Sequence, residues 1–246
     1  MPRTLFVSDL DGTILDATAT LPSQAADTLN TAIKNGANFT IATGRGESAL
    51  EIIKPINFNL PIIMLNGALI YDCNTKEYLM TDSFPTQKIN EILDKTAHCN
   101  IASTMFHGID AQNKMVHTPQ ADWSDEKILD FGFVDTLDKV KPAYQILQQI
   151  SDISVFLHPC PYNNTWFCDV TNSNVSKAKA LSWLRDKFNF DKIIAFGDSL
   201  NDLSMAESAD EFYAVANAHQ QVKAAATDCI GYCVDSAVPN WIIEHC

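Results

Sequence analysis

Hydrophobic and polar positions repeat along the first third of the chain as a short apolar run, a polar loop and a helical stretch. Leu5-Phe6-Val7 is a continuous apolar run of the kind a buried strand carries, and Asp9-Leu10-Asp11-Gly12-Thr13 follows at once. Pro22-Ser23 marks a helix start, and Ala26, Leu29 and Ile33 keep helical spacing as far as Gly36. Asn38-Phe39-Thr40-Ile41-Ala42 predicts a second strand ending at Thr43-Gly44-Arg45. The next helix carries Ala49, Leu50, Ile52 and Ile53 and stops at Pro55, because proline cannot continue the backbone ladder. Pro61 to Leu65 predicts a third buried strand, which delivers Asn66-Gly67 to the same edge. Three strand, loop, helix units in succession indicate a parallel, right-handed α/β sheet.

The rhythm changes between about Thr81 and Val170. A helix around Ile89, Ile92 and Leu93 precedes strands over 101–106 and 114–118, then a helix over 124–133. Residues 153–158 and 165–170 alternate as strands, with 159–164 as the turn between them. Ala143 to Ile150 fits both periods: Tyr144, Ile146 and Ile150 share a strand face, while Ala143, Ile146, Leu147 and Ile150 share a helix face. The α/β rhythm resumes with a helix over 177–188, a strand over 193–196 that ends at Gly197-Asp198, and short strands over 212–215 and 230–234. The expected fold is α/β: a doubly wound parallel-sheet core, residues 1–81 and 172–246, interrupted by an inserted α+β domain, residues 82–171.

Composition narrows the function classes. At 246 residues, with 46% hydrophobic and 19% charged positions, the chain can bury a full core. No apolar stretch is long enough for a membrane span and no secretory segment opens the chain, so a cytoplasmic protein is expected. Seven cysteines without paired spacing read as reduced, mostly buried thiols; Cys229 and Cys233 have no second close pair to complete a zinc site. A formal charge of −13 disfavours nucleic acid and anionic membranes as partners. If the substrate is an anion, a metal and a few local cations must overcome that field.

Once the core strands lie parallel, Asp9, Asp11, Thr43, Asp198 and Asp202 all emerge at the carboxyl edge, where ligands bind in open α/β sheets, and Lys177 begins a neighbouring helix. Taken singly, each has a plain structural reading: Asp-Gly makes turns, Thr43 caps a helix, and Lys177 is a solvated charge. Taken together they suit phosphoryl transfer. Carboxylates from the first strand and from Asp198 can hold magnesium, with a substrate phosphate completing its shell. The ion neutralises charge that would keep an anionic nucleophile from an anionic substrate.

Asp9-x-Asp11-Gly12-Thr13, Thr43-Gly44-Arg45, Lys177 and Gly197-Asp198-Ser199-Leu200-Asn201-Asp202 resemble, in order, the four motifs of the haloacid dehalogenase (HAD) superfamily. The insert between the second and third motifs makes the chain similar to Cof-type phosphatases with a type IIB cap. The resemblance implies a Rossmann-like core in which Asp9 is the nucleophile. Asp11 would be the general acid and then base, with its carbonyl a magnesium ligand beside Asp9 and Asp198. Asp202 would support the metal's waters or orient Lys177. The resemblance also implies that Thr43, with the backbone of Leu10 and Gly44, binds the phosphoryl oxygens, while Lys177 neutralises them and Asn201 adds a donor. Arg45 is left between contacting substrate and making a salt bridge at the rim.

Two small departures, Ala178 after the lysine and Ser199 in the fourth motif, do not argue against activity. Ala214-Val215-Ala216-Asn217-Ala218 lacks the methionine and glycine usual in that family segment, which puts substrate contact by Asn217 in doubt. His98, His107, His117 and His158 lack metal-ligand spacing, and Trp123, Trp166, Trp183 and Trp241 read as packing residues. The implied activity is magnesium-dependent hydrolysis of a small phosphorylated metabolite (sugar phosphate, nucleotide or phosphorylated cofactor) through an aspartyl phosphate, by a monomer or homodimer. The rivals are a phosphomutase or phosphotransferase using the same intermediate, and a non-catalytic magnesium-dependent binding module.

Overall fold

In the computed structural model, which describes residues 2–112, 114–118, 127–160 and 163–246, the opening apolar run forms β1 (Thr4–Ser8), with Leu5, Phe6 and Val7 buried. Helix α1 (Ser23–Lys34) buries Ala25, Ala26, Leu29 and Ala32 and leads to β2 (Asn38–Ile41), which pairs with β1 in parallel. Helix α2 (Ser48–Ile53) follows, then β3 (Ile62–Met64), joined to the end of β2 by a parallel bridge between Ala42 and Ile63. The third unit departs from the expected strand, loop, helix pattern. Leu65, Asn66 and Gly67 all take positive φ, which reverses the chain into β4 (Leu69–Asp72), antiparallel to β3. The expected strand β3 is thus completed into a three-stranded sheet β3-β4-β5, with β5 at Glu77–Thr81, where the repeating pattern would continue with a helix. Gly67 has a second constraint: a Cβ there would lie 2.4 Å from the Ser176 carbonyl oxygen, so only glycine lets the two segments approach so closely.

Contacts divide the chain into two units, Met1–Leu79 with Ser176–Cys246, and Met80–Val175. The second unit starts with α3 (Thr86–Thr96), then β6 (Ser103–Ile109), β7 (Met115–Thr118), β8 (Lys127–Asp135), α4 (Leu137–Leu147), β9 (Ile153–Pro159) and β10 (Trp166–Asn172). Its sheet is antiparallel throughout, in the order β7-β6-β8-β10-β9. The helix expected over 124–133 is corrected: residues 127–133 are strand, while 124–126 and Trp123 lie outside the described residues. Strand β8 is central and buried on both faces from Ile128 to Phe133, so it lacks the alternation that identifies a half-exposed strand. The ambiguous segment Ala143 to Ile150 is helical as far as Leu147, with Val140, Ala143 and Leu147 buried at helical spacing.

The chain returns to the first unit through α5 (Lys177–Phe188), β11 (Lys192–Gly197), α6 (Leu203–Ser208), β12 (Glu211–Ala214), α7 (Gln220–Ala225), β13 (Asp228–Cys229) and α8 (Ala237–His245). The strand expected over 230–234 is also corrected. The edge strand ends at Cys229, and Tyr232 and Val234 are exposed, so their apolar alternation faces solvent. Trp241 of α8 packs against Phe6, Phe196 and Tyr213. All seven cysteines are free thiols, but only Cys168 and Cys233 are buried, fewer than expected. Among the described residues no helix is long and apolar enough to cross a membrane.

The five-stranded parallel sheet has the order β13-β12-β11-β1-β2. From β1 the chain moves to β2 on one side, whereas from β11 it moves to β12 on the other. The carboxyl ends of β1 and β11 therefore flank a topological switch point, where the connecting loops diverge and leave a crevice. Asp9 and Asp198 are the first residues beyond those two strands.

The sheet of the second unit packs α3 and α4 against Phe106, Phe131, Phe133, Cys168 and Val170. Residues alternating with these carry charge on the other face. His107 Nδ1 lies 3.0 Å from Asp130 Oδ1, His158 Nε2 lies 2.9 Å from Asp169 Oδ2, and His107 stacks on His117. Burial raises the Asp130 carboxyl to about 6 despite the hydrogen bond from His107 and with help from Asp169. Burial opposes protonation of His107, but Asp130 outweighs it and raises the imidazole above its ordinary value. Both groups hold a proton more tightly when folded, so their contribution is full in acid and fades as pH rises through the folded values. Thermal midpoints measured from about pH 4 to pH 8 should therefore shift in favour of Asp130→Asn over the parent as pH rises. Parallel profiles for the two proteins would exclude Asp130 as the source.

Candidate active site

The site grows from the ends of β1, β2 and β11 and from the first turn of α5. The Asp9 amide donates to the Phe196 carbonyl at 2.9 Å, which continues the parallel ladder one residue past β1 and fixes the Asp9 backbone. Beyond it the chain curls around Leu10, whose carbonyl accepts from Ile14 and Leu15 at 3.0 and 2.9 Å. Gly12 has φ +75°, and a Cβ there would stand 2.5 Å from Asp198 Oδ2, so the turn needs glycine for its conformation and for its closeness to that carboxylate. Thr13 Oγ1 donates to Asp198 Oδ1 at 3.1 Å.

Lys177 is the first residue of α5, held there by the Ser176 side chain, which accepts from the Lys179 amide and caps the helix. Its side chain is 1% exposed, and Nζ donates to Asp9 Oδ1 at 2.6 Å and to Asp202 Oδ1 at 2.7 Å. The other Asp202 oxygen accepts from the amides of Asp198 and Ser199, both at 3.0 Å, within a reciprocal cap with the Ser199 side chain. Asp202 is thus tied at both oxygens, and it fixes both the ammonium and the loop that carries Asp198.

Asp9, Asp198 and Asp202 each bring a carboxylate oxygen within 4.8 Å of the others. One ammonium faces three largely buried carboxylates, and the electrostatics reflect the imbalance. Burial, followed by repulsion from Asp202, raises Asp9 to about 7 even though Lys177 pulls the other way. Burial, then Asp9 and Asp202, raises Asp198 well above the ordinary carboxyl range. Burial works against the charged form of Lys177, but Asp202 and Asp9 outweigh it and hold the proton on more firmly than usual. An all-oxygen donor set with uncompensated negative charge suits a hard divalent cation.

The phosphate-binding candidates cluster in the same unit. Thr43 is buried; its hydroxyl accepts from the Arg45 amide at 3.1 Å and its carbonyl accepts from the Asn66 amide at 3.0 Å. A Cβ on Gly44 would lie 3.3 Å from the Asn66 side-chain amide. Asn201 Nδ2 donates to Asn66 Oδ1 at 3.1 Å, while Asn66 Nδ2 and Asn201 Oδ1 are buried without a partner. Asn66, although delivered to this edge, is given no site role by its sequence context; the Asn-Gly pair, which favours the left-handed backbone that Asn66 adopts, is the signal that marks it.

Asp11 stands apart from the acidic cluster. Arg45 grips it in a bidentate pair, Nε to Oδ2 and Nη2 to Oδ1, both 2.6 Å. Between substrate contact and salt bridge, Arg45 thus makes the salt bridge here. Two further residues lay outside the site reading: Thr13, which orients Asp198, and Asn217, whose Nδ2 donates to the Gly12 carbonyl at 2.6 Å. Neither bond has a local signature, since each closes a loop of well over a hundred residues.

A family model for haloacid dehalogenase-like hydrolases matches residues 6–242. The chain is 25% identical over 274 aligned positions to the pyridoxal phosphate phosphatase YbhA of Escherichia coli K12, covering 100% of this chain and 99% of that protein. It shares its fold with a haloacid dehalogenase-like hydrolase from Bacillus subtilis, at TM-score 0.81 and 18% identity over 98% of this chain and 99% of that one. It also shares the fold of the HAD subclass IIB sugar phosphatase BT4131, at TM-score 0.73 and 20% identity, with 98% of each chain covered. A match over nearly the whole length, on a parallel sheet with its acidic residues at the switch point, shows that the chain belongs to the haloacid dehalogenase-like hydrolase family.

Proposed function

We propose that the protein is a magnesium-dependent phosphatase that hydrolyses a small phosphorylated metabolite through an aspartyl phosphate on Asp9. The observation that carries this reading is the buried cluster of Asp9, Asp198 and Asp202 around the Lys177 ammonium, in a chain of this hydrolase family. Magnesium would be held by Asp9, Asp198 and the Asp11 carbonyl, and it would neutralise charge on the carboxylates and the phosphoryl oxygens.

Lys177 holds one oxygen of Asp9 and so orients the other toward phosphorus. That oxygen attacks, the bond from phosphorus to the leaving oxygen breaks, and Asp11 delivers a proton to the departing alkoxide. Water then attacks the aspartyl phosphate, Asp11 takes its proton, and the bond from Asp9 to phosphorus breaks to release inorganic phosphate. The Arg45 grip must loosen for Asp11 to reach the leaving oxygen. Thr43, the amides of Leu10 and Gly44, Asn201 and the unpartnered Asn66 amide supply donors to the phosphoryl oxygens, strongest where charge develops in the transition state. In this reading Met1–Leu79 with Ser176–Cys246 is the catalytic core, and Met80–Val175 is the inserted domain of the cap type. The phosphatases of pyridoxal phosphate and of sugars among the relatives make those two classes the first to assay.

Asp9→Asn should lower kcat by more than about 10³-fold, by analogy with removal of other covalent nucleophiles, while the protein stays folded. Undiminished magnesium-dependent phosphate release by that variant would sink the mechanism. Lys177→Met should abolish turnover and also destabilise the fold by about 3–5 kcal/mol, because it leaves buried carboxylates without their cation. Denaturant titration beside a phosphate-release assay reads both effects.

Asp198→Asn relieves repulsion in the metal-free protein. Folded Asp9 and Asp198 hold protons that the unfolded chain releases near pH 4, so metal-free stability falls as pH rises from there toward 7 and beyond. At about pH 8 without metal, Asp198→Asn should melt higher than the parent, and it should lose the stabilisation that magnesium confers on the parent. A variant that melts lower and still responds fully to magnesium would contradict this charge assignment.

A further inference from the structure

The loop after β12 touches both acidic loops of the crevice. On one side, the His219 amide donates to the Asp198 carbonyl at 2.8 Å and the Val215 amide to the Gly197 carbonyl at 3.3 Å, which ties the loop to the end of β11. On the other side, Asn217 Nδ2 donates to the Gly12 carbonyl at 2.6 Å. Asn217 Oδ1 accepts from the Cys233 amide at 3.2 Å, and Lys223 Nζ donates to the Ala216 carbonyl at 2.6 Å, so the loop is fastened from behind as well. Asn217 is an exposed residue and adds nothing to the core. Its amide joins segments more than two hundred residues apart.

What those segments carry gives the bond its meaning. Gly12 follows Asp11, and its backbone lies so close to Asp198 that a Cβ would stand 2.5 Å from Oδ2. The next residue, Thr13, donates to the other Asp198 oxygen at 3.1 Å. A small displacement of the Gly12 turn therefore changes the position of the Asp11 carbonyl and the orientation of the Asp198 carboxylate together. We propose that Asn217 is a positioning residue: by clamping the Gly12 carbonyl to the loop that also holds Asp198, it sets the spacing of the oxygen donors and hence the affinity for the divalent cation. The inference rests on the magnesium reading above. Both ends of the Asn217 amide are engaged within the protein, which favours positioning over substrate contact.

Removal of groups that orient metal ligands from behind costs about 10- to 100-fold in metal affinity. The test is calorimetric titration of the full chain with magnesium chloride in the absence of substrate, for the parent, Asn217→Ala and Asn217→Asp, beside their metal-free thermal midpoints. Asn217→Ala should bind magnesium at least about tenfold more weakly with a nearly unchanged metal-free midpoint. Asn217→Asp keeps the acceptor for Cys233 but opposes a carboxylate to the Gly12 carbonyl, and it should weaken binding at least as much. In hydrolysis, both variants should need more magnesium, with an unchanged KM for the phosphate ester once magnesium saturates. Magnesium binding by Asn217→Ala equal to the parent's overturns the inference and leaves the phosphatase reading standing. A parent that binds no magnesium and releases no phosphate overturns both.

Discussion

One buried ammonium set among three carboxylates is the interaction on which the rest of this structure depends. Lys177 bridges Asp9 and Asp202, and Asp202 in turn fixes the loop that carries Asp198. The pairings are short and almost dry, so each charge interacts through a poorly screening medium. They still leave the cluster negative, and burial first, with repulsion among the carboxylates after it, holds both Asp9 and Asp198 above the ordinary carboxyl range. A fold with no further use for the cluster would be better served by fewer acids, since unpaired buried charge is costly. A site that takes up a divalent cation and a phosphate ester gives the surplus a purpose.

The sheet explains why these groups meet. Strands β1 and β11 are parallel neighbours whose onward connections go to opposite sides, so their carboxyl ends open a crevice lined by Asp9 and Asp198. The constraints around it are steric as much as electrostatic. Gly12 admits its backbone to the edge of the Asp198 carboxylate, and Gly67 admits the β3–β4 turn to the Ser176 carbonyl at the start of the Lys177 helix. The chain's overall charge of −13 works against an anionic substrate, so cations and amide donors have to converge locally where one is to bind.

What could be read from the sequence follows the range of the forces involved. Buried parallel strands carry continuous apolar runs, which mark β1 and β11 and the polar residues beyond them, while β2 is marked by its β-rich Phe39-Thr40-Ile41 and α5 by its helical pattern from Lys177 onward. Strand β8 reads as helix from sequence because burial on both faces erases a period of two, and the segment around Ala143 fits two periods, between which packing of Val140, Ala143 and Leu147 selects the helix. The reversal at Leu65-Asn66-Gly67 depends on three successive left-handed residues, only one of them glycine. Least legible were bonds between distant segments: Thr13 to Asp198, Asn217 to Gly12, and the choice of Arg45 for Asp11. Each joins polar residues whose local sequence is equally compatible with solvent exposure.

If the charge surplus at this crevice serves covalent phosphoryl transfer, the phosphoryl group must pass through Asp9. The direct measurement is to quench the enzyme during turnover of a phosphate ester with magnesium, reduce it with borohydride, and locate the reduced acyl phosphate by mass spectrometry. Homoserine at position 9, dependent on both substrate and magnesium, is the expected result. Sustained phosphate release with Asp9 unmodified, or with the reduced residue at another position, would contradict it.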